Sequence, residues 1–242
     1  MFPSIFKPKK QFKLIRLGKE EDGGYLVGKD SVQKSDFLLS FGISDDWSFE
    51  KDFIKSNKVN FLCFDDHISV KFLFKTIFYK IFFFPFIQEK KSLFIEIFKL
   101  IDFIKFFNRN TLKIKKITYN SLTQILSEIG LKNIFLKVDI EGCEYRILDE
   151  ILKYQDYFSG CVIEFHNVDL HMPKISNFIK NFDLELVHIH GNNYSQNYMN
   201  NPTVIELTFD KYPIFESEEN IIPNILDRPN NPLKKETLLN FE

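Results

Sequence analysis

The stretch Asn133–Arg146, NIFLKVDIEGCEYR, constrains this chain more than any other. Ile134–Val138 is a short, mostly apolar run with the length of a strand buried on both faces. It ends abruptly in Asp139, Glu141 and Gly142. Carboxylates that close a buried strand cannot continue unpaired into the core. They must emerge at the strand's carboxyl edge, where open α/β sheets bind ligands. Gly142 allows a sharp turn, and from Cys143 to Tyr154 the residues Ile147, Leu148, Ile151 and Leu152 fall at helical spacing. The stretch therefore reads as strand, acidic loop, helix. Asp139 and Glu141 fit two roles, helix capping and ligand contact.

The same unit recurs along the chain. Asp36–Ser44, DFLLSFGIS, is an apolar strand leaving through Gly42, and Asp45, Asp46 and Ser48 start a helix after it. Val59–Phe64 is the next strand and runs into Asp65-Asp66-His67, where an acid is well placed to accept hydrogen bonds from ribose hydroxyls. Thr111–Thr118 alternates lysines with Leu112, Ile114 and Ile117, as a strand near a sheet edge does. Ser121–Ile129 is the following helix, ended by Gly130. Gly160–Phe165 is another buried strand, with Glu164 and His166 at its mouth, followed by a helix over Ile175–Phe182. Leu184–His188 and Thr203–Phe209 are two strands about fifteen residues apart, the spacing of an antiparallel pair. Near the start, Asp22-Gly23-Gly24-Tyr25 is either a hairpin turn or a ligand-contacting loop.

Strand–helix alternations closed by two adjacent strands predict a doubly wound α/β sheet of seven strands. Asp65, Asp139 and Glu164 then share one carboxyl edge, as in a nucleotide cleft. With 242 residues the expectation is a single domain over 1–242. A net charge of −1 gives no field to recruit nucleic acid. Cys63, Cys143 and Cys161 form no C-x-x-C motif, and the first residues lack the apolar core of a signal peptide; both point to a reduced, cytoplasmic setting.

Residues 69–110 depart from this pattern. They hold 12 phenylalanines and eight basic residues against three acidic ones. Apolar residues recur at helical spacing on both sides of Pro85, and the longest uncharged run, Ile81–Gln88, is too short to cross a bilayer. Two readings follow: amphipathic helices packed on the sheet, or a basic–aromatic surface for peripheral membrane or protein contact. The tail from Lys211 to Glu242 carries Pro213, Pro223, Pro229 and Pro232 and is expected to wrap the surface with little regular structure. Oligomeric state is not legible.

FLLSFGISDDWSFE, FDDH, IFLKVDIEGCEYRIL, VIEFH and the HIHGNN–PTVIELTF ending together resemble the FkbM-like group of S-adenosylmethionine-dependent methyltransferases. The resemblance runs from about Arg16 to the LDRPNNP tail. It implies a class I methyltransferase (Rossmann-like) fold, a mostly parallel sheet with an antiparallel last strand, and S-adenosylmethionine as cofactor. It also implies methyl transfer, often to a hydroxyl of a glycan precursor or small metabolite. Carried over by position, Ser40, Phe41, Gly42 and Ile43 form the first cofactor loop, Asp65 is the ribose acid, and Asp139 and Glu141 flank the reacting methyl. The first loop is S-F-G-I-S and not G-x-G-x-G, the third strand ends Thr118-Tyr119-Asn120 without an acid, and 69–110 has no counterpart.

Methyl transfer needs alignment and removal of the acceptor's proton. His166 is the first candidate for the base, because its ordinary pKa lies near neutrality, and Asp139 is the second. Asp139, His166 and His190 also offer a metal-ligand set, though no paired spacing supports one and no metal is assigned. The alternatives are a catalytically silent methyltransferase-like binding module and a nicotinamide-dependent oxidoreductase, the latter opposed by the missing G-x-G-x-x-G.

Overall fold

The computed structural model of the protein describes residues 1–82, 91–196 and 201–242. After a 3-10 turn at Ser4–Phe6 come β1 (Gln11–Phe12), β2 (Leu14–Leu17) and β3 (Tyr25–Gly28). Then follow α1 (Lys29–Gln33), β4 (Phe37–Phe41), α2 (Ser48–Ser56) and β5 (Asn60–Asp65). The helices α3 (Val70–Phe82) and α4 (Lys91–Phe106) pack against each other before β6 (Leu112–Ile114), α5 (Ser121–Ile129) and β7 (Ile134–Val138). The chain ends with α6 (Leu148–Lys153), β8 (Phe158–Phe165), α7 (Val168–Asn181), β9 (Glu185–Gly191), β10 (Ile205–Asp210) and β11 (Phe215–Ser217). Pro85 lies outside the described residues.

Seven strands form the main sheet in the order β6-β5-β4-β7-β8-β10-β9. The contacts from β6 to β8 are parallel, and β10 runs antiparallel to both neighbours. This is the mostly parallel seven-stranded sheet with an antiparallel last strand that the sequence resemblance implies. The strand order reverses between β4 and β7, and that switch point is where a doubly wound sheet opens a cleft.

Both faces are apolar because helices cover both. On β4, Phe37, Leu39 and Phe41 join Ile125, Ile151 and Phe178 of α5, α6 and α7. The intervening Leu38 joins Phe49 and Phe53 of α2 on the other face, with Phe135 of β7 and Val162 of β8. Alternation along the strand thus sets which helix layer each residue meets.

Elements match the sequence pattern most closely where caps and turns are local. α5 has the expected limits, and Gly130 ends it with φ of 65° and its N–H on the Leu126 carbonyl. Asp22-Gly23-Gly24 joins β2 to β3 as an antiparallel pair, with Leu17 opposite Tyr25. Of the two readings of that turn, the hairpin is the one formed, yet Tyr25 at its exit also reaches the sheet's carboxyl edge. Three boundaries differ most. β6 covers only Leu112–Ile114, because it is an edge strand whose outer flank has no partner among the described residues. The segment after Gly142 makes a 3-10 turn at Glu144–Arg146 before α6, so the helix expected from Cys143 starts later. α7 starts at Val168 and continues through Pro173, upstream of the expected start.

Candidate active site

The cleft sits at the carboxyl ends of β4, β5 and β7. Its cavity is about 220 Å³, lined among others by Gly42, Asp65, Asp66, Ile117, Asp139 and Glu141. Phe64, Ile117 and Ile140 supply apolar wall, and Asp66 and His67 are exposed at its rim, with His67 Nδ1 in contact with the Asp66 carboxylate.

Two close backbone approaches build the floor. Gly42 has φ of 77°, and a Cβ there would lie 1.6 Å from the Asp139 carbonyl oxygen. Asp139 N–H donates to the Phe41 carbonyl at 2.9 Å. The glycine is thus required for β4 and β7 to leave the sheet side by side. The side chains of the expected cofactor loop turn inward. Ser40 Oγ donates to Glu50 Oε1 at 2.6 Å, Phe41 is core, and Ile43 packs with the α3–α4 helices. From the first loop, Gly42 and the exposed Ser44 line the cleft.

Ser40 belongs to a buried group absent from the sequence reading. Lys137, in the middle of β7, lies 3.4 Å from Glu50 and donates to the Gly42 carbonyl at 2.9 Å. Burial opposes its charge, but Glu50 and Asp139 raise its pKa above the ordinary lysine value. A lysine in an apolar run, facing the helix that carries the only buried carboxylate of α2, was the signal available.

Asp65 occupies the expected strand end, but its oxygens are already engaged. Oδ2 accepts the N–H groups of Ile43 and Ser44 at 3.1 and 2.9 Å, and Oδ1 those of His67 and Ile68, both at 2.8 Å. Four amides match the number of lone-pair sites on a carboxylate. Asp65 fixes the first loop, and its neighbour Asp66 carries the exposed carboxylate.

A second group gathers at the ends of β7 and β8. The Tyr25 hydroxyl lies 3.0 Å from Asp139 Oδ2 and 2.9 Å from Glu164 Oε2. Asn192 Nδ2 donates to Glu164 Oε1 at 3.1 Å. Burial and the charge of Asp139 push the Glu164 pKa well above the carboxylate range. One phenol proton cannot serve two carboxylates, and a protonated Glu164 closes that count. His166 Nε2 is 3.3 Å from Glu141, and its backbone N–H donates to Glu144 Oε1 at 2.7 Å. Nδ1 stands 3.4 Å from the same oxygen without hydrogen-bond alignment, an ionic contact. Burial works against the imidazolium, but Glu144, Asp139 and Glu141 outweigh it and raise the His166 pKa. Glu141 and Asn167 both carry left-handed φ, 50° and 51°, on either side of this histidine. Such backbone is uncommon for residues other than glycine and concentrates at working sites.

Asp139, Glu164 and His166 each bring a donor atom within 4.8 Å of one another, a set that could hold Mn, Fe or Zn. His190 is not part of it. It sits on β9, separated from β8 by β10, and pairs with Glu206 at 3.3 Å and Glu236 at 3.1 Å. The histidine-rich ending thus divides between two sites. Tyr25 and Glu144 were the members hardest to read from sequence, because only the folded sheet brings them to Asp139, Glu164 and His166.

No family model and no curated protein matches the chain. Among solved structures it is similar to an rRNA methylase from Streptococcus thermophilus, with a TM-score of 0.38 and 9% identity over 76% of this chain and 93% of that one. It is also similar to SMU.1697c, a candidate methyltransferase from Streptococcus mutans in complex with SAH, with a TM-score of 0.36 and 9% identity over 75% of this chain and 94% of that one. Likeness at this level carries no argument about activity.

Proposed function

We propose that the chain is an S-adenosylmethionine-dependent methyltransferase acting on a hydroxyl of a sugar, glycan precursor or small metabolite in the cytoplasm. The observation that carries this reading is the cleft at the β4–β7 switch point, with Asp66 on one side and the D-I-E-G turn on the other. Its donor set suits a nucleoside: Phe64, Ile117 and Ile140 offer apolar contact to a base, and Asp66, one oxygen of which meets His67, offers its other carboxylate oxygen to ribose hydroxyls. Asp139 and Glu141 add negative charge suited to a cationic sulfonium.

S-adenosylmethionine supplies an electrophilic methyl group when bound. The chain's own part is to hold the acceptor in line and remove its proton. His166 is the proton acceptor in this reading, held by Glu141 and Glu144. Asp139 orients the cleft side of the site through Tyr25.

Calorimetry with S-adenosylmethionine and S-adenosylhomocysteine tests the reading. Asp66→Ala should weaken binding about ten- to a hundredfold, since hydrogen bonds to charged groups contribute roughly 1.5–3 kcal/mol. Asp65→Ala should lower thermal stability together with affinity, because four loop amides lose their acceptor. Absence of binding at about 1 mM cofactor sinks the proposal. The inward-turned Ser40, Phe41 and Ile43 favour one second reading, a binding module without turnover. Cofactor binding with no methyl transfer across a panel of hydroxyl acceptors distinguishes it.

A further inference from the structure

The α3–α4 pair has two apolar faces where a packed amphipathic helix needs one. The inner face is accounted for: Leu73, Ile77, Leu100 and Phe103 are buried with Ile43, Trp47 and Cys63. The outer face holds Phe74 and Phe78 on α3, 55% and 71% exposed, and Phe94 and Phe98 on α4, 62% and 69% exposed. At about 200 Å² for a whole phenylalanine, these four leave on the order of 500 Å² of apolar surface in water. That lies at the upper end for the largest patch of a monomer.

Charge on the pair selects the occupant. α3 contains no acidic residue, and Lys71 and Lys75 are exposed beside its phenylalanines. The two acids of α4 are held by partners within the fold. Glu96 accepts from Lys80 at 2.8 Å, and Asp102 accepts from Lys51 and from Trp47 Nε1, each at 2.7 Å. Lys105 is exposed one turn beyond Ile101. The outer face is therefore aromatic and cationic, the composition of helices that lie in a membrane interface. Neither helix can cross: α3 has 13 residues and α4 has 16, and among the described residues no helix is long and apolar enough to span.

We propose that the outer face of α3–α4 docks flat on an anionic lipid bilayer, with Phe74, Phe78, Phe94 and Phe98 entering the interface and Lys71, Lys75 and Lys105 meeting lipid headgroups. The foot of α3 adjoins the cleft, since Ser44 and His67 line both the cavity there and the one beneath Phe72 and Leu73. Docking so holds the cleft mouth near the lipid surface, and it stands independently of the reaction proposed above.

Co-sedimentation of the whole chain with phosphatidylcholine vesicles, with and without phosphatidylglycerol, tests this. The wild-type chain should bind the anionic vesicles and lose binding as salt rises. Lys71→Gln/Lys75→Gln/Lys105→Gln should weaken anionic binding about a hundredfold, at roughly fivefold per lysine. Phe78→Ser/Phe98→Ser should abolish binding while circular dichroism stays unchanged. The lysine variant removes no packed group and so keeps the test independent of folding. Failure to bind either vesicle overturns the proposal, as does binding that neither set of substitutions alters. A chain that binds no vesicle but dimerises in light scattering, and is made monomeric by Phe78→Ser/Phe98→Ser, would assign the face to a second copy instead.

Discussion

Gly42 and Asp139 meet where β4 and β7 leave the sheet, and their close backbone approach forms the floor of the cleft. Around that point, carboxylates outnumber protons. Burial and the charge of Asp139 push the Glu164 pKa up, and at His166 burial opposes the charged form but Glu144, Asp139 and Glu141 favour it. The consequence for His166 is a shifted working range. A histidine whose pKa is raised above 6.5 accepts a proton only at higher pH than an ordinary one. If His166 is the base, methyl transfer should rise with pH through a value above 6.5, and His166→Gln should abolish that limb. It should also cut turnover by about 10²–10⁴, the usual contribution of a positioned proton acceptor. Steady-state rates of both forms across pH check this. A variant with an unchanged profile would assign the proton to Asp139 or to solvent.

Among the elements, the C-terminal tail departs furthest from its sequence reading as a surface wrap. Phe215–Ser217 pairs with β1 as β11. Beyond it the chain is irregular, but it closes the β9–β10 end of the sheet. Asp227 lies 3.0 Å from His188, Glu236 lies 3.1 Å from His190, and Asn230 donates to Glu206 at 2.8 Å. Their partners on β9 and β10, His188, His190 and Glu206, are buried, so removing the tail leaves buried polar groups unpaired. Truncation after Tyr212 leaves all seven strands of the main sheet, yet it should lower unfolding free energy by about 3 kcal/mol or more, since three contacts go and hydrogen bonds to charged groups contribute roughly 1.5–3 kcal/mol each. Urea denaturation measures it, and a truncated chain of full stability would show the tail to be only a cover. The α3–α4 pair illustrates the reverse case. Its helical period was plain in the sequence, but which apolar residues face the core and which face water depended on where β5 and β6 anchor its ends.

Over the whole molecule, the shifted groups act in one direction above mildly acidic pH. His190 is raised well above 6.5: burial opposes its charge, but Glu206 and Glu236 overcome it. The stability it contributes is fully present below about 6.5 and is lost as pH rises through the raised value. Glu164, raised by burial and by Asp139, also loses stability on the way up in pH. Glu206 is opposite in sign: burial raises it, but His190 brings it below 4.5, so its contribution is lost on acidification. Thermal stability should therefore peak at about pH 5–6 and decline towards pH 9. His190→Gln should lower stability at pH 6 and flatten the decline, as calorimetric melts across pH would show.

The sequence by itself determined the sheet. Apolar runs of strand length, each followed by a turn and a helical period, specify a doubly wound layer because only burial on both faces tolerates them. It also determined that Asp65, Asp139, Glu164 and His166 end strands at one edge, since the carboxyl ends of parallel strands share a side. Tertiary structure alone decided what each end does. Asp65 is filled by amides because the first loop folds over it, and Asp66 is left facing the cleft. His190 belongs to the tail network and not to Asp139 because β10 inserts between β8 and β9. Lys137 is buried as an ion because α2 brings Glu50 to the same face of the sheet. Such pairings join residues far apart in the chain, and strand order, which no local period encodes, fixes them.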